Sequence, residues 1–398
     1  MIRKAYVDML QEKDMIFEQL EVARALARRF GEEQVFNFCI GSPSVPSPRA
    51  MTDALIDALE TQPPSVLHSY SPSLGLPQAR AAVAESLNTR YGSHYAAENI
   101  FMTVAAAGAI AHALRAVTEP GNEVLTFAPC FGEYQAYTAG AGLTLRVAPP
   151  TDTLQIDFDA CEELFTPKTA AVLINSPNNP SGVVCSTAVI DRLAELLMRK
   201  SREFGHTIYL ISDEPYREIV FRGVDAPFIA NHYPHTLVCY SYSKALSIPG
   251  ERIGYLAVNP ECDGAEMILE VCPQISRTLG QNGAPSLFQF ILPRVSMETA
   301  DLAVYERNRD ILYRALREFG YACVEPGGTF YLFPRAPEPD AKAFCARAAQ
   351  EHRLVLVPGD SFYCPGYFRV AYCVPTERVE RALPIFRTLA QEYGLCGA

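Results

Sequence analysis

The sequence predicts an α/β fold with a large, doubly wound, mostly parallel sheet and a smaller α+β domain. Strand-like apolar runs alternate with amphipathic helices between residues 75 and 260, and the pattern changes after about residue 295. Strands that alternate with helices imply right-handed crossovers, which produce a parallel sheet. We therefore expect a large domain over residues 46–295 and a small domain formed by residues 1–45 plus 296–398.

The elements of the large domain follow in order along the chain. Apolar periodicity predicts an N-terminal helix at residues 12–30, before this domain, and helices within the domain at LPQARAAVAESLNTRY, AAAGAIAHALRAV and AVIDRLAELLMRKSREFG. Short apolar runs predict strands at NIFMTV, EVLTFAP, AAVLINSP, TIYLISDEPY and TLVCYSYSK.

The C-terminal region predicts the smaller α+β domain, which we expect the N-terminal helix to join. Two helices, TADLAVYERNRDILYRALREFG and DAKAFCARAAQEH, alternate there with GGTFYLF, LVLVPG and YFRVAYCV. A last helix is predicted from Thr376, with Gly394 as its C-cap. Because Pro384 lies inside it, a kink or a delayed start is expected.

The composition excludes several classes of function. The 398 residues are 49% hydrophobic and 20% charged, and the net charge of −11 argues against a nucleic-acid partner. The twelve cysteines form no C-x-x-C and no H-E-x-x-H occurs, so no metal site is expected. The N-terminus carries charges throughout, and no apolar run reaches membrane-spanning length. We expect a cytoplasmic protein with no membrane partner.

Polar side chains cluster at the ends of three predicted strands. In open α/β sheets, ligands bind outside the carboxyl ends of the strands. Each residue alone is explained by a turn, a helix cap or a core position, whereas the whole set at successive strand ends indicates a ligand site. The clusters are Asn178 and Asn179, then Asp213 and Tyr216, then Ser241, Ser243 and Lys244.

Lys244 follows a buried strand, and Arg252 lies eight positions further on, so two positive charges need compensation. Pyridoxal phosphate (PLP) catalysis uses such a set: a lysine forms a Schiff base with the aldehyde, and a carboxylate pairs with the pyridinium nitrogen. Hydroxyls and a guanidinium suit the phosphate, whose charge compensates both cations. Lowering a lysine pKa from about 10.4 to about 7 costs roughly 4–5 kcal/mol, which burial beside another cation can supply.

The chain resembles the fold-type I, PLP-dependent aminotransferases of class I/II over nearly its whole length. The motifs SYSKALSIPGERIGY, SDEPY, NSPNNPSG, APCFGEY, SYSPSLGLPQAR, NFCIGSP and YFRVAY occur in the family's order. The resemblance implies that Lys244, Asp213 and Tyr216 are catalytic. It further implies that Ser241, Ser243 and Arg252 bind the phosphate, that Asn179 and Tyr216 bind the phenolic oxygen, and that Phe131 stacks on the ring. Tyr70 is implied to reach the phosphate of a neighbouring subunit. The implied substrate residues are Gly41, Asn179 and Arg369, of which Arg369 binds the α-carboxylate.

One motif departs from the family's pattern. The turn before the phosphate-binding helix often contains glycine, whereas this chain has Ala105, Ala106 and Ala107. Alanine still offers backbone N–H groups at a helix N-terminus. Only this backbone role is therefore expected of the three residues.

The resemblance implies an aminotransferase that acts on an L-amino acid and a 2-oxo acid, as a homodimer with shared active sites. A PLP-dependent carbon–sulfur β-lyase on the same fold is the alternative, because the cofactor motifs are common to both. A ligand-sensing domain of a transcription regulator would need a DNA-binding module. A nicotinamide dehydrogenase would need a G-x-G-x-x-G after a strand, which is absent.

Arg277 either binds a second substrate carboxylate or simply lies at a helix end.

Overall fold

A computed structural model describes residue 2, residue 7 and residues 15–395. The strands are β1 (Phe36–Asn37), β2 (Ile100–Thr103), β3 (Glu123–Phe127), β4 (Thr144–Ala148), β5 (Thr169–Asn175), β6 (Tyr209–Asp213), β7 (Thr236–Ser241), β8 (Gly254–Val258), β9 (Tyr331–Leu332), β10 (Leu354–Val355), β11 (Val357–Pro358) and β12 (Phe368–Ala371).

The helices of the described residues cover the sheets and connect their strands. They are α1 (Met15–Phe30), α2 (Arg49–Thr61), α3 (Pro64–Leu67), α4 (Pro77–Tyr91), α5 (Ala105–Val117), α6 (Glu133–Gly140), α7 (Phe158–Glu163), α8 (Thr187–Phe204), α9 (Tyr242–Ala245), α10 (Ala265–Leu279), α11 (Ser286–Val295), α12 (Ala303–Glu318), α13 (Ala341–His352) and α14 (Thr376–Glu392).

The large sheet has seven strands in the order β2-β8-β7-β6-β5-β3-β4. The pairs from β4 to β7 are parallel, and β8 is antiparallel to both of its neighbours. Every position of β5 and of β7 is buried, as is typical of parallel strands covered on both faces. The α/β class with a mostly parallel sheet is therefore confirmed.

Two strands of this sheet are absent from the sequence prediction. β4 is an edge strand whose residues are mostly part-exposed, so it lacks a continuous apolar run. β8 begins at the last two residues of the lysine motif and returns the chain between β2 and β7. Its short apolar run directly follows the polar residues of the motif and was not recognised as a separate strand.

Local sequence fixes the ends of the helices around the large sheet. The Ser186 side chain accepts a hydrogen bond from the Val189 N–H at the start of α8, as an N-cap serine does. Gly205 ends α8 and Gly92 ends α4, each in the left-handed conformation. α5 begins directly after β2 and packs on β7 and β8, which directs its N-terminus to the carboxyl edge of the sheet.

The C-terminal region forms a three-stranded antiparallel sheet in the order β11-β12-β9. β1 pairs with β10, and α1 packs on β10 and β11. The N-terminal segment therefore packs against the C-terminal part. The domain limits at residues 45/46 and 295/296 stay a prediction.

The last helix, α14, starts at Thr376 and continues past Pro384 to Glu392. Its start is therefore not delayed, which corrects one of the two expectations for Pro384. Gly394 follows with φ of 70°, the left-handed geometry expected after a helix. Residues 12–14 of the predicted first helix lie outside the described residues.

A buried amide ties the small sheet to its helices. Asn308 on α12 donates to the carbonyl oxygens of Tyr372 and Val374, at 3.0 and 2.8 Å, and accepts from the Thr376 hydroxyl. The segment that follows β12 is thereby fixed, and β12 carries Arg369. Among the described residues, no helix combines the length and the apolar character needed to cross a bilayer.

Candidate active site

The carboxyl ends of β5, β6 and β7 open onto a cavity of about 300 Å³. The N-terminus of α5, the loop around residue 40 and strand β12 at Arg369 line its other sides. Most of the site residues predicted from the sequence line this cavity: Gly41, Ala105, Ala106, Ala107, Phe131, Asn179, Asp213, Tyr216, Ser241, Ser243, Lys244, Arg252 and Arg369.

Asp213 ends β6 and is almost completely buried. The Tyr134 hydroxyl donates to its Oδ2 at 2.6 Å, whereas Oδ1 has no hydrogen-bond partner. Burial raises the pKa of Asp213 to about 7, and the hydrogen bond from Tyr134 opposes this rise. A buried carboxylate oxygen without a donor is costly, so Oδ1 is suited to a cationic N–H group placed in the cavity.

Glu214, the next residue, is buried on the other side of the strand and belongs to a separate network. It accepts from the Ser212 hydroxyl at 2.6 Å and pairs with Arg217 at 3.0 Å. Arg217 also donates to the Tyr255 hydroxyl at 2.7 Å. Because this charge is compensated, Asp213 is the carboxylate of the pair that stays available to a ligand.

Lys244 lies in α9, the single helical turn that follows β7. Its Nζ donates to the Gly41 carbonyl oxygen at 2.6 Å and lies near the rings of Tyr216 and Phe330. Burial lowers the pKa of Lys244 to about 8, and the positive charges of Arg369 and Arg252 act in the same direction. The amine therefore loses its proton more readily than a solvent-exposed lysine, as a nucleophilic or basic lysine requires.

Arg369 on β12 is 2% exposed although it carries a charge. Its Nη1 donates to Asn179 Oδ1 at 2.9 Å and its Nη2 to the Cys39 carbonyl oxygen at 2.6 Å. Its guanidinium also lies over the ring of Tyr331, 4.7 Å from the centroid. These neutral partners orient the guanidinium without cancelling its charge, so it can bind a carboxylate.

The other end of the cavity has the features of an anion site. The hydroxyls of Ser241 and Ser243 are 2.6 Å apart, and Arg252 lines the same region. Ala105 opens α5 with φ of 57°, the left-handed region that glycine adopts most easily. Alanine at this position therefore keeps the backbone geometry that the family often builds with glycine, and the helix N-terminus remains an anion site.

Three residues discussed from the sequence lie outside the cavity. Tyr70 is 98% exposed on a loop. Arg277 is exposed in the last turn of α10, and its Nη1 donates to Gln274. Asn178 makes turn contacts instead, accepting from the backbone and hydroxyl of Ser181.

Several functional positions were not identified from the sequence. Asn175 ends β5 and bonds both the Asp213 carbonyl and the Asn179 N–H, at 2.8 and 2.7 Å. The Tyr331 hydroxyl lies 2.8 Å from that of Tyr216. Asn175 ends a predicted strand and could have been noticed, whereas Tyr331 reaches the cavity only through the packing of the small sheet.

Comparisons with known proteins agree with this geometry. The family model for aminotransferase class I and II matches residues 33–386. The chain belongs to the class I and II aminotransferases. It is 41% identical to an aminotransferase of known structure from Eubacterium rectale, with a TM-score of 0.94 over 98% of this chain and 99% of that one. It is also 29% identical to an aspartate aminotransferase of Thermotoga maritima and to aromatic-amino-acid aminotransferase 2 of Thermococcus litoralis. These alignments cover 91% of this chain in each case, and 92% and 93% of the two relatives.

The family identifies this protein as a PLP-dependent transaminase, so the predicted enzyme class and cofactor are confirmed. The aminotransferase has a cavity that fits the cofactor. Asp213 Oδ1 lacks a donor, Lys244 has a lowered pKa, and Ser241, Ser243 and Arg252 line the same cavity as Arg369. When bound, PLP supplies an electron sink for the chemistry at the substrate's α-carbon.

The hydrogen bond from Tyr134 predicts a specific effect on pH dependence. Because it lowers the pKa of Asp213, Tyr134→Phe should raise that pKa and move the acid limb of the kcat/KM profile to higher pH. Loss of the donor to a buried carboxylate should also lower the free energy of unfolding by about 1–3 kcal/mol. Rate profiles between pH 5.5 and 9 and urea unfolding measure the two effects.

Tyr233→Phe is the matched control, since the buried Tyr233 hydroxyl also donates at 2.6 Å, but to the Ile208 carbonyl away from the cavity. It should lower stability and leave the pH profile in place. An unchanged acid limb in Tyr134→Phe would show that this hydroxyl does not control Asp213.

Lys244 predicts a pH effect on stability. Its folded-state pKa lies below the value of 10.5 of a free lysine, so the unfolded chain holds more protons between about pH 8 and 10.4, and stability rises with pH there. Over this pH range, the free energy of unfolding of the cofactor-free wild type should rise by about 1–3 kcal/mol relative to that of Lys244→Met. Urea unfolding at several pH values measures it. For Lys342→Met, which replaces a half-exposed lysine, the plot of unfolding free energy against pH should run parallel to that of wild type. A parallel plot for Lys244→Met would show that the pKa of Lys244 is not lowered.

Proposed function

We propose that this aminotransferase moves an amino group between an L-amino acid and a 2-oxo acid, with Lys244 and Asp213 as its central catalytic residues. The observation that carries the assignment is the buried, donorless Asp213 Oδ1, in the same cavity as a lysine of lowered pKa. The relatives reported above are named as aminotransferases, which favours group transfer over carbon–sulfur cleavage.

Each residue then has a defined task. When PLP binds, Asp213 Oδ1 would accept the pyridinium N–H, while Tyr134 donates to the other carboxylate oxygen. Asn179 and Tyr216 would hold the phenolic oxygen, and Phe131 would cover one face of the ring. Ser241, Ser243, Arg252 and the backbone of Ala105, Ala106 and Ala107 would hold the phosphate.

Arg369 binds the substrate's α-carboxylate through its guanidinium, beside Asn179 and Gly41. This places the α-carbon on the side of the cavity where Lys244 Nζ contacts the Gly41 carbonyl. The neutral amine of Lys244 would accept the proton from the donor's α-carbon, and in the second half-reaction its ammonium form would deliver a proton to the α-carbon of the amino acid formed from the 2-oxo acid. Its pKa of about 8 suits both directions of proton movement near neutral pH.

We also infer that the active unit is a homodimer. Tyr70 is 98% exposed, and Val66 is 45% exposed on the same segment. Ile56 and Leu59 of the preceding helix are exposed as well. A fully exposed tyrosine among exposed apolar side chains favours a surface covered by a partner. A second copy of the chain would receive the Tyr70 hydroxyl at its phosphate.

We further infer a cytoplasmic enzyme of amino-acid metabolism. The described cysteines are unpaired, and all except Cys323 are buried. Buried thiols in a large chain are typical of a reducing compartment, where they act as small apolar residues.

Reductive trapping tests the central assignment. Borohydride treatment of the PLP-loaded enzyme should attach the pyridoxyl group to Lys244, as read by peptide mass spectrometry. Lys200→Ala is the control, because Lys200 is largely buried too but pairs with Glu162 and Glu203; it should keep the label. Asp213→Asn should retain the label and lose turnover by orders of magnitude. A pyridoxyl label on another lysine would contradict the assignment of Lys244.

Hybrid dimers test the shared site. Lys244→Ala and Tyr70→Ala proteins are each inactive or strongly impaired, but a mixed dimer has one site with both residues intact. Random reassociation should restore about a quarter of wild-type activity, since half the dimers are hybrids with one working site. No recovery, or a fully active monomer in sedimentation, would contradict the shared site.

A further inference from the structure

We propose that the amino donor has an uncharged, apolar side chain, and that Phe17, Ile40 and their neighbours on α1 form the wall that accepts it. This inference rests on the proposed function, because it assumes that Arg369 binds the α-carboxylate and that Lys244 acts at the α-carbon. The wall is defined by Ile16, Phe17, Leu20 and Ile40, which all line the cavity.

The position of this wall follows from the loop that carries Ile40. The Cys39 carbonyl accepts from Arg369, and the Gly41 carbonyl accepts from Lys244. Ile40 therefore lies between the groups that hold the carboxylate and the α-carbon. A side chain attached to that carbon must run past Ile40.

Helix α1 provides the outer part of the wall. Ile16 and Leu20 are anchored in a core with Val355, Val357 and Phe362, and Phe17 is 64% exposed at the cavity. Contact with a bound apolar side chain would remove part of this exposed ring from water, which favours binding. A second carboxylate placed there would lose hydration without gaining a partner.

The charges of the cavity point the same way. The cations among its described lining residues are Lys244, Arg252 and Arg369, and each already has a task. Glu133 and Asp213 also line the cavity. The phosphate dianion and the α-carboxylate add three negative charges. Among the described lining residues, there is thus no excess positive charge for a distal carboxylate.

The one alternative is a guanidinium supplied by a second copy, for which Arg277 is the candidate. It is exposed at the end of α10 and donates to Gln274. Its role is an outcome of the experiment below.

Two measurements on the PLP-loaded enzyme test the proposal. Single-turnover absorbance changes should give kcat/KM values for L-leucine and L-phenylalanine at least about 100-fold above those for L-aspartate and L-glutamate. Inert carboxylates test binding alone: 3-phenylpropanoate should bind more tightly than succinate in spectral titrations. Faster reaction of aspartate, together with tighter binding of succinate, would overturn the proposal.

Variants connect the preference to the wall. Phe17→Ala should lower kcat/KM for leucine and phenylalanine about ten-fold and hardly affect L-alanine. Val22→Ala is the control, on the exposed side of the same helix, and should match wild type. Phe17→Arg should raise the aspartate rate relative to leucine. Equal losses for all donors in Phe17→Ala would mean a structural role and contradict the assignment.

The outcomes separate this proposal from the function on which it rests. If aspartate is the best donor and Arg277→Ala removes that activity, the apolar assignment is wrong while the aminotransferase assignment stands. If no amino acid reacts and borohydride leaves Lys244 unlabelled, the proposed catalytic residues themselves are wrong.

Discussion

The burial of three charged side chains in one cavity is the constraint on which the site depends. Asp213, Lys244 and Arg369 form no ion pair with one another or with other groups in the described part of the chain. Neutral dipoles hold them instead: a phenol, a peptide carbonyl and an amide. Buried charges that lack opposite partners are costly. Ligands that bring the missing charges remove this cost, so binding and catalytic geometry are linked.

The loop from Cys39 to Gly41 connects the two halves of this arrangement. Phe38 pairs with Val355 and Ala371 through backbone hydrogen bonds of 3.0 and 2.9 Å, which fix the loop to the small sheet. A Cβ at Gly41 would collide with the Tyr331 hydroxyl, so this position requires glycine. The separation between the carboxylate site and the reactive amine is therefore set by backbone atoms, which substitutions elsewhere change little.

The sequence predicted the site residues that lie at the ends of strands and in short motifs. Lys244, Asp213 and Asn179 could be placed together because parallel strands end at the same sheet edge. Tyr331 and Phe17 could not, since they reach the cavity from the small sheet and from a helix far away in sequence. Tyr134 could not be placed beside Asp213 either, because their contact spans 79 positions. Such pairings depend on tertiary packing, which neither periodicity nor motif spacing reports.

The antiparallel strand β8 has a consequence for how the chain assembles. β2 hydrogen-bonds only to β8 within the large sheet, and β8 joins it to β7. During synthesis, the residues of β2 therefore wait for more than 150 further residues before their partner leaves the ribosome. For that period β2 lacks its strand partner, a state prone to wrong pairing, whereas β8 follows β7 after a short connection. The N-terminus of α5 and the lysine turn reach their final separation only when β8 inserts, so cofactor capture reports completion of the sheet.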